Sequence, residues 1–122
     1  MTFPFFKRVI IESPYRANDI NSLETHKAYL KVAMMDSIMR GEAPCASHKL
    51  YTDIFNDDDE NERKLGIELG FAWLQAADLV AFYVDFGFSA GMSACLVDPK
   101  THRFRLPYEI RRVKEDVLSQ LR

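Results

Sequence analysis

Only two cysteines, Cys45 and Cys95, occur in the 122 residues, in different segments and without metal-ligand spacing. A disulfide scaffold is therefore excluded, and buried free thiols are expected. Glycine and proline are sparse, at five each, which excludes collagen-like and low-complexity linker chains. No window approaches the ~18 uninterrupted apolar residues of a membrane-spanning helix. The N-terminal MTFPFFKRVII is apolar but lacks the basic leader, long h-region and small-residue cleavage site of a signal peptide, so a cytoplasmic protein is expected. A charge excess is missing as well. Lys and Arg number 16 against 18 Asp and Glu, a formal net charge of −2, too little basic field for non-specific capture of nucleic acid. A small molecule or a protein is the expected partner. No two of the histidines, His26, His48 and His102, share metal spacing, so neither a metal nor a cofactor is expected.

What is present is 48% hydrophobic and 28% charged residues, the composition of one globular domain spanning 1–122. KRVIIES is a β-branched run closed by Pro14 and suits a buried strand. In the segment after it, Asn21 or Ser22 serves as N-cap and Leu23, Leu30, Met34 and Ile38 share one helical face, with Gly41 and Pro44 ending the helix. CASHKLYTDIF is apolar enough for a second, short strand and the loop after it. NDDDENE then precedes RKLGIELGFAWLQAA, which places a helix start near Asp58 or Asp59, where acidic side chains cap and oppose the helix dipole. DLVAFYVD is a further strand, SAGMSACLVD a helix opening at Ser89, PYEIRRV a last strand and KEDVLSQLR a terminal helix or tail. Strands alternating with helices predict an α/β fold, a small doubly wound, Rossmann-like and mostly parallel sheet flanked by helices. Ligands in such folds bind beyond the carboxyl ends of the strands. The loops expected there are SPYRAND, the acidic segment and DFGFSAG.

Within GIELGFAW one carboxylate, Glu68, interrupts an apolar and glycine run. At ~100° per residue, Leu65, Leu69, Ala72, Trp73 and Ala76 form one stripe, and Ile67, Phe71 and Leu74 lie nearly opposite. One sheet covers one face, so the second apolar face predicts a homo-oligomer. Gly66 and Gly70 leave a groove for another backbone, and Lys64, Glu68 and Gln75 make a narrow polar seam. Glu68 is either a surface glutamate paired with Lys64, four residues back, or an acid at the edge of a buried helix whose charge is costly. His48 is either a structural histidine or a proton shuttle near the crevice. Asp85 either caps a turn or faces the pocket. Gly87 belongs to the strand-to-helix turn, and Ser89 caps the helix that follows, where backbone N–H groups can meet an anion.

The layout VIIESPY, an acidic loop, then GIELGFAWLQAADLVAFYVD resembles the nucleoside 2-deoxyribosyltransferase-like superfamily, whose helix carries an E-L-G-x-A core. SHKLYT, ERKLGIELGFAW and YVDFGFSAGM further resemble a small uncharacterised family from phages and their hosts, so host cytoplasm is the setting if the chain is phage-encoded. The resemblance runs from about Val9 to Met92. It implies cleavage or exchange of an N-glycosidic bond in a nucleoside or deoxynucleotide, with Glu68 attacking C1′, an acid among Asp57, Asp58 and Asp59 protonating the leaving base, and Tyr15 orienting the nucleophile. Ser13, Pro14 and Arg16 would line the substrate, Arg16 meeting a phosphate. The first strand leads into ESPY instead of a small-residue glycine loop, which leaves a non-catalytic nucleotide-binding protein as the alternative, and a purely structural homo-oligomer as a third.

Overall fold

A computed structural model of the chain describes residues 5–14, 23–56, 58–87, 89, 92–93 and 106–115. Strand β1 (Lys7–Glu12) forms from the β-branched run, and its Val9, Ile10 and Ile11 are buried on both faces, as a central parallel strand requires. Helix α1 (Leu23–Met39) contains no glycine or proline and buries Tyr29, Leu30 and Ala33. It ends before Gly41, whose φ of +82° suits a residue without Cβ. The expected caps Asn21 and Ser22 lie outside the described residues.

Strand β2 (Glu42–Cys45) and helix α2 (Ser47–Thr52) correct the sequence expectation. Pro44 lies within a strand instead of ending the helix, and SHKLYT is a helix instead of a short strand and loop. Among the described residues β2 is an edge strand that pairs on one side only, with β1, and an edge is where a missing N–H is tolerated. α2 is held by contacts distant in sequence. Trp73 donates from Nε1 to the Tyr51 hydroxyl at 2.8 Å, and Gly66 lets Tyr51 and Phe55 come close. The acidic segment therefore follows a helix, not a strand.

Helix α3 (Glu60–Leu74) starts where the acidic run predicts. Asp59 is its N-cap, accepting from the backbone N–H of Asn61 at 2.9 Å and of Glu62 at 3.1 Å. Strand β3 (Leu79–Tyr83) is buried at every position, and β4 (Tyr108–Arg111) closes the described sheet. All pairings are parallel in the order β2-β1-β3-β4.

Two apolar layers cover the sheet. Val9, Ile11, Leu79, Ala81 and Tyr83 meet Tyr29, Leu30 and Ala33 of α1 on one face. Ile10, Val80, Phe82 and Val84 meet Leu74, with Phe71 packed alongside, on the other. The fold is thus the expected doubly wound α/β architecture. Among the described residues, no helix is long and apolar enough to cross a membrane.

A polar network missed at the sequence level ties the sheet edges. Arg111 of β4 is almost fully buried and makes a two-pronged pair with Glu42 of β2, at 2.8 Å on each prong. It also donates to Glu109 and to the Tyr83 hydroxyl. Tyr83 in turn donates to Asp36 at 2.6 Å, and Ser37 donates to Glu42. Arg111, with Ser37 assisting, holds the Glu42 carboxyl below its usual range.

Candidate functional site

Strand order reverses direction at β1. The chain crosses from β1 through α1 to β2 on one side, then returns to place β3 on the other. The crevice of a parallel α/β sheet opens at such a switch point, beyond the carboxyl ends of the two strands. Here those ends carry Glu12, Ser13 and Pro14 from β1, and Val84, Asp85, Phe86 and Gly87 after β3.

Glu12 is the residue sequence reasoning missed. It sits opposite Phe82 in the sheet register. Strand alternation turns its side chain, like that of Ile10, toward the layer shared with α3. It is half-buried, and burial pushes its carboxyl up to about 7. No hydrogen-bond donor or cation meets that carboxyl among the described residues. A carboxyl that keeps its proton near neutrality at a switch point has the property a general acid needs. The available signal was a carboxylate closing the first apolar run, but a strand buried on both faces shows no alternation from which to read its direction. Ser13 and Pro14 beside it are buried.

Asp85, on the opposite wall, is committed to structure. Its carboxylate accepts from the Tyr29 hydroxyl at 2.5 Å and from the Val113 backbone N–H at 3.0 Å. The Asp85 N–H returns a bond to the Tyr29 oxygen at 3.0 Å. Burial and the adjoining carboxylate hold the Tyr29 phenol well above its usual range, so it remains a donor. Phe86 packs on Tyr29 with ring centroids 4.6 Å apart and lies 6.2 Å from the His26 ring. His26 is fully buried, and neither ring nitrogen has a hydrogen-bond partner among the described residues. Gly87 turns the chain at φ +83°, and the Ser89 hydroxyl accepts from the Met92 N–H at 3.2 Å, the capping bond its position predicts.

The remaining sequence candidates separate. Asp59 is occupied as the α3 cap, Asp58 is exposed with its N–H on the Asn56 side chain, and Glu68 is exposed on α3. Tyr15, Arg16 and Asp57 lie outside the described residues, as does the side chain of His48, whose backbone belongs to α2. An open groove of about 380 Å³ between α1 and α2 is lined by Met34, Ala46, Leu50 and Ile54, with the Lys49–Asp53 ion pair at its rim, and shares no residue with the crevice.

A four-stranded parallel sheet with helices on both faces and an acid over its switch point defines a small Rossmann-like α/β protein. The chain belongs to the family described as domain of unknown function DUF7768, which matches residues 7–109. A comparison with curated proteins finds no match.

Proposed function

We propose that the crevice above β1 and β3 receives a nucleoside or deoxynucleotide and that the protein breaks or exchanges its N-glycosidic bond. The observation that carries this reading is Glu12, a carboxyl at the switch point that retains its proton to about 7. Departure of a base from C1′ requires a proton on the base nitrogen and a negative charge beside the oxocarbenium-like sugar. Glu12 supplies the proton. Glu68, on the helix covering the same sheet face, is the carboxylate that bonds C1′ as the C–N bond breaks, and water or a second base then displaces it. Glu12 thereby takes the role expected of the acidic segment, whose Asp59 is engaged as a helix cap.

The exposure of Glu68 favours a second reading, a nucleotide-binding protein without turnover. One experiment separates the two. Wild type, Glu12→Gln and Glu68→Ala are incubated with a panel of deoxynucleosides and deoxynucleotides plus an acceptor base, and the products are resolved by chromatography. Released or exchanged base from wild type, lost in both variants and declining above pH ~7 as Glu12 ionises, is the expected result. Turnover unchanged in both variants refutes these assignments. No turnover, with a ligand-induced rise in melting temperature that Glu12→Gln abolishes, supports the binding protein.

A further inference from the structure

The outer face of α3 carries an apolar seam that the other described residues leave open. Leu65, Leu69, Ala72 and Ala76 follow at spacings of four, three and four, the spacing of a coiled-coil stripe. Ala76 lies in the turn closing the helix, its N–H on the Trp73 carbonyl at 3.0 Å. Leu65 is 50% exposed and Trp73, beside the seam, 45%. Ala72 and Ala76 are exposed and Leu69 is half-buried. The opposite side of the helix meets the sheet through Phe71 and Leu74. A third side is taken by α2, since a Cβ on Gly66 would come within 3.4 Å of the Phe55 ring and one on Gly70 within 3.6 Å of the Ser47 hydroxyl. The glycine groove expected from the sequence is therefore filled within the chain, and the seam is a separate surface.

We propose that this seam joins two copies of the chain, with their α3 helices antiparallel about a two-fold axis. An isologous contact requires a surface complementary to itself, and this one is. With Leu69 opposite the partner's Ala72, Leu65 falls opposite the partner's Ala76, so each large side chain meets a small one and space is filled without overlap. In an antiparallel pair like flanks face one another. Glu68 comes to the partner's Gln75, so no carboxylate faces a carboxylate, and the other flank, Gly66 and Trp73, is already held by Tyr51 and Phe55 of the same chain. Parallel pairing would set leucine on leucine and alanine on alanine, alternating crowding with gaps. The surface that Leu65, Leu69, Ala72 and Ala76 offer is smaller than the ~800 Å² each partner contributes to a standard interface, so a weak dimer that forms at high protein concentration is expected. This arrangement places Glu68 at the edge of the contact and stands independently of any chemistry assigned to that residue.

Light scattering coupled to size exclusion at ~100 μM tests the association. Wild type is expected at twice 14.1 kDa, and Ala72→Glu, an exposed change, at the monomer mass with an unaltered melting temperature. Orientation is read from oxidative crosslinking on a background with Cys45 and Cys95 replaced by serine. A mixture of Leu65→Cys and Ala76→Cys chains should form the mixed disulfide in preference to either homodisulfide. A monomeric wild type, a dimer insensitive to Ala72→Glu, or a preference for the Leu65→Cys homodisulfide would each overturn the proposal.

Discussion

Replacing Glu12 with glutamine removes an ionisation while keeping the shape of the side chain, and its effect on stability should depend on pH in a defined direction. Burial raises the folded-state carboxyl from an ordinary 4.5 to about 7. The folded chain therefore holds this proton more tightly than the unfolded chain. The stability Glu12 contributes is fully present below about 4.5 and is lost as pH rises toward 7. At ~1.36 kcal/mol per pKa unit the loss is at most roughly 3 kcal/mol, an upper value because the side chain keeps some contact with water. Urea unfolding followed by the fluorescence of Trp73, the single tryptophan, measures it directly. Wild type and Glu12→Gln should have similar midpoints near pH 4.5. By pH 8 the variant should be more stable by up to about 3 kcal/mol. An equal gap at every pH would mean that folding does not shift the Glu12 carboxyl, and a variant less stable at pH 8 than at pH 4.5 would mean that the charged form is the stabilised one; the acid role assigned to Glu12 would fall with either.

Other changes probe the surrounding framework. Arg111→Met leaves Glu42 buried without its cation, and breaking such a pair costs about 3–5 kcal/mol; adding Glu42→Gln should recover part of that, and urea titration of the single and double variants tests the coupling. Because the Glu42 carboxyl is held below its usual range, its stabilisation is present above pH ~4.5 and lost as pH falls through its folded value, so wild type should lose this contribution in acid while Arg111→Met, having lost it already, shows a shallower acid slope. Asp59→Ala removes the α3 cap and should cost about 1 kcal/mol in the same assay. Tyr29→Phe removes one donor from Asp85 and should cost roughly 1–2 kcal/mol, read as a lowered melting temperature.

How far residues disclose structure differs by element. α1, α3 and β3 are legible because a glycine stop at Gly41, an acidic cap at Asp59 and a short apolar run each act locally, but the buried face of α1 is His26, Tyr29, Leu30, Ala33 and Ser37, and Leu23 and Ile38 of the expected face are exposed. β2 and α2 are not. A four-residue edge strand containing Pro44 has almost no local signature, and SHKLYT becomes helical through Gly66 and Trp73, which follow it by more than a dozen residues. The site divides in the same way. Asp85 and Ser89 can be placed at the strand end from position alone, but the bonds from Tyr29 and Val113 that occupy Asp85 become visible only after folding. Glu12 stands in plain view at the end of β1, yet its environment depends on the neighbouring strand and on which face α3 covers. The Arg111–Glu42 pair joins residues 69 apart, and no local pattern announces it.

The strand order also has a consequence for how the chain is made. β1 is synthesised first and becomes a central strand, but the partner on its β3 side follows about 70 residues later, the separation spanned by the bond from the Arg8 N–H to Asp78, the residue before β3. At translation rates of ~5–20 residues per second, the emerging β1 waits on the order of 4–14 s with that edge unpaired. With every ladder parallel, no hairpin can shelter it in the meantime. Newly made chains should therefore pass through an interval in which Val9, Ile10 and Ile11 are open to holdase chaperones, closing only when Leu79–Tyr83 has cleared the ribosome.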